Sequence, residues 1–329
     1  MQIRRLLLPL LGLVACAKPA GDGAAASSST STQSSAATSG SNTTTGSTAD
    51  RSIALTIRPP AAGDKRATRK RAEEAMTVGM RGTKGGIDVR TSKIVSTEKT
   101  ETCLEVKDKT CIKLEVEIKR DNVDETTTTQ LVDLEGKPDP KDKPKTKKKG
   151  GDNPTTGVVY IVAKDGKKPV VTRKDGKKPS KAELALVEKA YDDDPSLTAE
   201  LESAYPKAVK VGDSLDAFAK ALAKVIAGKS KDVTVVSSSV RVKEIRPTGK
   251  RALVVLDIDV SLESSTKELK ELKTRSRGTI EIWADGGDEH ASAITTELDG
   301  KFRKDGSVNG KFVETTERTD DSALGAGAP

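Results

Sequence analysis

Period-two alternation of apolar side chains limits the last hundred residues to sheet. Val254, Leu256, Ile258, Val260 and Leu262 occupy every second position. Successive strand residues point to opposite sides of a sheet, so these five share one face. Val233 to Ile245, Thr274 to Trp283, Ala291 to Leu298 and Val308 to Thr319 read as neighbouring strands. Pro247-Thr248-Gly249, Asp299-Gly300 and Asp305-Gly306 read as turns between strands. That spacing predicts an antiparallel meander. Aromatic residues are scarce, with three Phe, three Tyr and one Trp in 329 residues. The core must therefore be thin and aliphatic.

The other end of the chain carries an address. Arg4 and Arg5 precede a short apolar run, Leu6 to Val14. The run is far below the ~20 residues of a membrane-spanning helix and reads as a secretory signal peptide. It ends in Leu13-Val14-Ala15-Cys16, which resembles the lipobox of bacterial lipoproteins. The resemblance implies cleavage after Ala15, diacylation of the Cys16 thiol and acylation of the new amino group. Two or more acyl chains hold a protein stably on a membrane, whereas one does not. Ala17-Lys18 lacks the Asp associated with inner-membrane retention in such lipoproteins, which points to the outer membrane. From Ala24 to Thr48 the chain is nearly all Ala, Ser, Thr, Gly, Asn and Gln. Such a segment buries too little to offset its ordering entropy and is expected to be a flexible tether with a span of about 30 Å.

Export gives the cysteines a meaning. With Cys16 acylated, Cys103 and Cys111 remain as a pair in an oxidising compartment. Residues 112–118 alternate apolar and charged, and Lys107-Asp108-Lys109 is a polar turn. The segment reads as a β-hairpin with a Cys103–Cys111 disulfide across it. Two thiols eight residues apart, with His290 the only histidine, do not make a zinc site.

Before the hairpin, Ser52 to Arg58 alternates and reads as a first strand, ended by Pro59-Pro60. Lys65 to Met80 contains good helix formers, but it lacks a wide apolar face and reads as a long charged strand. Gly82 to Gly86 is a turn and Ile87 to Thr102 a strand. Thr126 to Leu134 is one more strand. Gly136 to Asn153 changes character. Lys137, Lys141, Lys143, Lys145, Lys147, Lys148 and Lys149 are interrupted by three prolines. Like charges and prolines predict an extended disordered loop. Those seven lysines are the candidate anion-binding residues.

Two copies of Lys-Asp-Gly-Lys-Lys-Pro, starting at Lys164 and Lys174, predict short strands joined by turns. Ser180-Lys181-Ala182-Glu183 is a capping box, and Leu184, Val187 and Tyr191 share a helical face. Ser196 is a candidate cap for a second helix ending near Pro206. Asp213 is a candidate cap for a third, whose Leu215, Phe218, Ala219, Leu222, Val225 and Ile226 follow helical spacing to Gly228. Val209-Lys210-Val211-Gly212-Asp213-Ser214 at its start resembles a motif in a family of uncharacterised, strand-rich bacterial lipoproteins. That resemblance implies long antiparallel strands on both sides and no known activity. Family members usually follow the motif with Trp, where Leu215 stands here.

The expected architecture is mainly β (α+β), an antiparallel curved sheet or sandwich with a central helical insertion. The divisions are residues 1–15, signal peptide; 16–50, acylated Cys16 and tether; 51–136, first β half; 137–153, lysine loop; 154–179, short hairpins; 180–228, helices; 229–319, second β half; and 320–329, disordered tail.

Net charge is +8, which favours anionic surroundings such as envelope polymers or lipids. Nucleic acid is not indicated, because single-strand binders need aromatic platforms. Gly286-Gly287-Asp288-Glu289 echoes a cyclic-dinucleotide synthase signature, but it sits where a turn belongs. Gly228-Lys229-Ser230 follows a helix rather than opening one. His290 with Asp288 and Glu289 reads as a loop charge cluster. No nucleophile elbow appears, so no catalytic residue, metal or cofactor is expected. The leading expectation is a non-catalytic, membrane-anchored envelope protein. A carrier of lipid or another amphiphile in a half-open barrel is the alternative, and a carboxylate hydrolase stands third.

Overall fold

The computed structural model describes residues 52–82, 85–133, 135–164, 168–191, 195–228, 232–249, 251–266, 269–287, 289–303 and 306–320. The signal peptide, Cys16, the tether and residues 321–329 lie outside them.

The N-terminal strands are β1 (Ile53–Ala54), β2 (Lys65–Gly82), β3 (Gly85–Lys107), β4 (Thr110–Val132), β5 (Lys145–Asp152), β6 (Val158–Ala163) and β7 (Val170–Arg173). Helices α1 (Lys181–Tyr191), α2 (Pro195–Ser203) and α3 (Asp216–Ala227) follow, with β8 (Ala208–Val209) before the last. The C-terminal strands are β9 (Val233–Thr248), β10 (Arg251–Ser264), β11 (Leu269–Trp283), β12 (Glu289–Phe302) and β13 (Gly306–Asp320).

Eleven strands form one sheet in the order β7-β6-β4-β3-β2-β13-β12-β11-β10-β9, with β5 also paired to β4. Every pairing is antiparallel. The two expected β halves are thus parts of one sheet, joined where β13 pairs with β2 from Gly306↔Met80 to Asp320↔Arg66.

The register places both hydrophobic clusters on the same face of this sheet. In one, Phe218, Leu222 and Ile226 of α3 pack on Leu256, Ile258 and Val260 of β10 and on Ile280 and Ile282 of β11. In the other, Val187 and Tyr191 of α1 pack on Val116 of β4 and on Tyr160 and Val162 of β6. Each fully buried aliphatic side chain contributes about 1.5–3 kcal/mol, which is what holds the helices down. Strands β2, β3 and β13 lie between the clusters.

Several sequence expectations hold locally. Asp108 and Lys109 adopt positive φ at the β3–β4 turn, the conformation a tight two-residue hairpin needs. Ser180 Oγ accepts the Glu183 N–H at 3.2 Å, and Glu183 Oε2 accepts the Ser180 N–H at 2.8 Å. This is the reciprocal capping box at the start of α1.

Other expectations are corrected. The first strand is only Ile53–Ala54, and it pairs with β8 outside the main sheet; beyond it the Thr56 and Arg58 N–H groups bond the Ala284 and Gly286 carbonyls instead of a strand partner. Thr126 to Leu134 is not a separate strand: β4 runs unbroken to Val132. Asp299-Gly300 is not a turn but lies inside β12. A side chain at Gly300 would stand 2.9 Å from the Glu271 carbonyl oxygen, so the glycine serves a close strand approach. Asp213 does not cap α3, whose N-cap is Leu215; its carboxylate accepts the Lys210 N–H instead. Ser196 does not start α2, because the helix begins at Pro195, a favoured first helical residue. The lysine segment is not a disordered loop, since Lys145–Asp152 is strand β5.

Candidate functional site

Strand β5 forms because β4 has a free edge beside it. Asn122 to Thr129 of β4 pair with Asp152 to Lys145. Glu125 stands opposite Lys149, and Thr128 Oγ1 meets Thr146 Oγ1 at 3.1 Å. Opposite charges and hydroxyl pairs across strands each stabilise a ladder modestly.

Aspartates fold the preceding turn. Asp133 Oδ1 accepts the N–H groups of Glu135 (2.9 Å) and Lys137 (2.8 Å). Asp139 Oδ1 accepts the Lys141 N–H at 2.9 Å, and Asp142 Oδ2 accepts the Leu131 N–H at 3.1 Å. Carboxylates are thus spent on backbone donors, while the lysines point outward. All seven lysines from Lys137 to Lys149 are exposed. Lys137 pairs with Glu135 at 2.6 Å.

Pairing sets which way the β5 lysines face. Lys145, Lys147 and Lys149 lie on the helix-bearing side of the sheet. Thr146 and Lys148 lie on the other side. Between Lys137 and Lys149, seven lysines meet only two aspartates, Asp139 and Asp142. The segment's own excess is therefore five positive charges; four of its lysines lie on the edge strand β5, which also carries Asp152, while Glu135 pairs with Lys137 and Glu125 stands opposite Lys149. Lysine also blunts an edge against unwanted pairing.

The chain enters the domain at the opposite end. Ile53 pairs with Val209. The Thr56 N–H bonds the Ala284 carbonyl at 2.9 Å, and the Arg58 N–H bonds the Gly286 carbonyl at 3.0 Å. This is the β11–β12 turn. At the same end, the Gly63 N–H bonds the Cys103 carbonyl at 2.8 Å. The Cys103–Cys111 disulfide closes the hairpin there, with Cα atoms 5.9 Å apart. Its closed loop is short, so the entropic model gives about 2.5 kcal/mol.

Two buried charge networks escaped the sequence reading. In the first, Glu183 Oε1 accepts the Tyr160 hydroxyl at 2.7 Å and lies 3.3 Å from Arg173. Those bonds, with the Ser180 donors, hold the Glu183 carboxyl down at about 2. The Tyr160 hydroxyl, buried against that carboxylate, is pushed up. In the second, Lys70 Nζ lies 2.7 Å from Glu314 on the β2–β13 seam, and Arg318 lies 3.2 Å from Glu289. Burial is the main force raising Glu314 to about 7; Lys70 opposes it and Glu289 adds to it. Alternation along β13 puts Glu314, Thr316 and Arg318 on one face. Charged residues there read as solvent-facing in the sequence, because nothing local says that the face is covered.

The other sequence candidates fall elsewhere. Glu289, the last residue of the Gly-Gly-Asp-Glu echo, is the buried partner of Arg318. Gly228 ends α3, its N–H bonded to the Lys224 carbonyl at 2.9 Å. His290 rests against Trp283, ring centroids 5.1 Å apart, while Arg251 covers Trp283 at 3.9 Å. Asp288, Lys229, Ser230 and Cys16 lie outside the described residues. Among the described residues no group of three or more His, Cys, Asp or Glu is placed to hold a metal ion. A concavity of about 580 Å³ crosses β12, β13, β2, β3 and β4, where Met76 and Leu298 lie among polar residues such as Arg90, Thr126, Asn309 and Lys311.

No family model matches the chain, and no curated protein matches it. Among solved structures it is similar to lipovitellin, studied for its lipid–protein interactions, with a TM-score of 0.28 and 11% identity over 80% of this chain. The chain spans about a quarter (26%) of the lipovitellin chain. It is also similar to OccK7 (OpdD) of Pseudomonas aeruginosa, with a TM-score of 0.26 and 5% identity over 79% of this chain and 100% of that one. A third likeness is to Ail, the attachment invasion locus protein of Yersinia pestis, with a TM-score of 0.12 and 8% identity over 79% of this chain and 100% of that one. Scores this low do not establish a shared fold.

Proposed function

We infer that this chain is a bacterial envelope lipoprotein, acylated at Cys16 and held at the outer membrane, that binds an anionic partner and catalyses nothing itself. One observation carries the reading: the lysine segment is not a loose arm but an ordered edge strand with its ammonium groups exposed. An ordered strand has already lost most of its backbone entropy, so charge attraction is not spent on ordering it. Lysine is a compact point charge that accepts any anion without a fixed geometry. The helical region gives the carrier reading no support. Phe218, Leu222 and Ile226 under α3 are buried against the sheet, and that space is filled by side chains.

The test uses the Cys16→Ser chain, which has no acylation site, with anionic vesicles, lipopolysaccharide and peptidoglycan at low and high salt. Binding to at least one is expected, falling as salt screens the charges. Replacing Lys145, Lys147, Lys148 and Lys149 by Gln should remove the salt-sensitive part. No binding to any of the three, or binding indifferent to both salt and the lysines, would sink the reading.

A further inference from the structure

We propose that the lysine-bearing end engages an anionic lipid surface other than the one that holds Cys16, so that the protein bridges two membrane surfaces. This rests on the function inferred above.

The geometry is one of opposite ends. The chain enters beside Ala284 and Gly286. The register then gives the distances. Ala291 shares a row with Glu317, Arg69 and Glu98, whereas Lys148 shares a row with Thr126, Ser92, Ala75, Lys311 and Glu297. The Pro138 turn, bridged to Val132, lies level with Gly86 and Arg81. At about 3.3 Å per residue, the lysines begin about 30 Å along the strands from where the chain enters and extend to about 50 Å. Five strand spacings, β12 to β5, add about 24 Å across the sheet.

Bringing all of those lysines back to the anchoring surface would require the segment after Cys16 to cover the roughly 30–50 Å between the chain's entry and the lysines. Its expected span is about 30 Å, so that stretching costs entropy, and the outward orientation does not. The entering end also carries lysines: Lys107, Lys109 and Lys113 are exposed on the β3–β4 hairpin, with Asp108 between the first two and Glu105 opposite Lys113. That hairpin is the part of the domain placed to meet the anchoring surface.

Charge distribution favours a lipid surface over a single polymer strand. Ammonium groups project from both faces of β5 and from the turn at its end. A spread of phosphates can meet all of these, whereas one extended glycan lies along one face.

The experiment uses the full acylated chain, reconstituted into neutral phosphatidylcholine vesicles. Acceptor vesicles contain phosphatidylglycerol or phosphatidylcholine alone, and clustering is followed by light scattering. Clustering is expected only with phosphatidylglycerol acceptors and should reverse at high salt. It should fall to the protein-free level when Lys145, Lys147, Lys148 and Lys149 are replaced by Gln. The variant Lys137→Gln/Lys141→Gln/Lys143→Gln, outside the strand, should weaken it without touching the β5 ladder. Circular dichroism and scattering without vesicles check the fold and monomer state of each variant. If the Cys16→Ser chain binds phosphatidylglycerol vesicles but the acylated chain never clusters them, bridging is wrong and the binding function stands. Binding to peptidoglycan alone also overturns bridging. No binding to any anionic surface overturns both.

Discussion

Glu314 and Glu183 are both buried carboxylates, and their surroundings push them in opposite directions. Around Glu314 the loss of hydration outweighs the nearby Lys70, and Glu289 adds repulsion. Its folded value of about 7 lies above the ordinary 4.5, so the folded state holds a proton that the unfolded state releases. That contribution is complete below about 4.5 and lost as pH rises through about 7. Glu183 is the reverse: the Tyr160 hydroxyl and the Ser180 donors favour its charged form. Its contribution is present above 4.5 and lost as pH falls toward 2. From these two groups, stability peaks near pH 4.5–5. Replacing Glu314 by Gln keeps a neutral group in place. In urea unfolding, Glu314→Gln is expected to exceed the wild type at pH 8 by about 1–3 kcal/mol. The difference should vanish near pH 4.5. A gap independent of pH would show that Glu314 keeps its ordinary carboxyl pKa in the folded state.

Strand β5 shows how an element arises against its own composition. Lysine is a poor strand former, and a lysine run repels itself. Even so, β4 offers unpaired N–H and C=O groups from Asn122 to Thr129, with Asp124 and Glu125 beside them. The ladder and those carboxylates outweigh the repulsion. The lysines then protect the edge they complete. Lys147→Val with Lys149→Val would leave a flat, β-branched edge and is expected to cause concentration-dependent association by light scattering. A double variant that stays monomeric at the same concentrations would mean that another feature guards the edge. Helix α3 is the opposite case, because its periodic stripe predicts its burial. Even there the start differs: Asp213 closes the preceding turn, and the Leu215 N–H bonds the Val240 carbonyl at 2.8 Å.

At the scale of the molecule, two hydrophobic clusters sit at opposite flanks of one sheet. The strands between them carry charge and threonine on both faces. β2, for example, reads Arg69-Lys70-Arg71-Ala72-Glu73-Glu74 across the middle. Their hydrogen bonds continue the ladder, but little apolar surface is buried there. Local stability follows burial, so the flanks should open separately. Leu222→Asp places an unpaired charge beneath α3 and is expected to cost several kcal/mol. Hydrogen exchange should then speed in α3, β9 and β10, while the Tyr160–Val187 region keeps its protection. Equal acceleration at both flanks would mean that the sheet unfolds as one unit.

Much of this arrangement is legible in the chain itself. Alternation names the strands and their faces, because a two-residue period leaves each side chain only two directions. The turn at Asp108-Lys109, the capping box at Ser180 and the hairpin disulfide are local events, set by neighbours a few residues away. Tertiary structure alone decided three things. It joined the two β halves through β13 and β2, residues more than two hundred positions apart, a pairing that no local pattern encodes. It turned the lysine segment into an edge strand, since the free groups of β4 supply a partner that the segment's composition argues against. It also buried Glu314, Glu289 and Arg318, because whether a strand face meets water or protein depends on what folds over it.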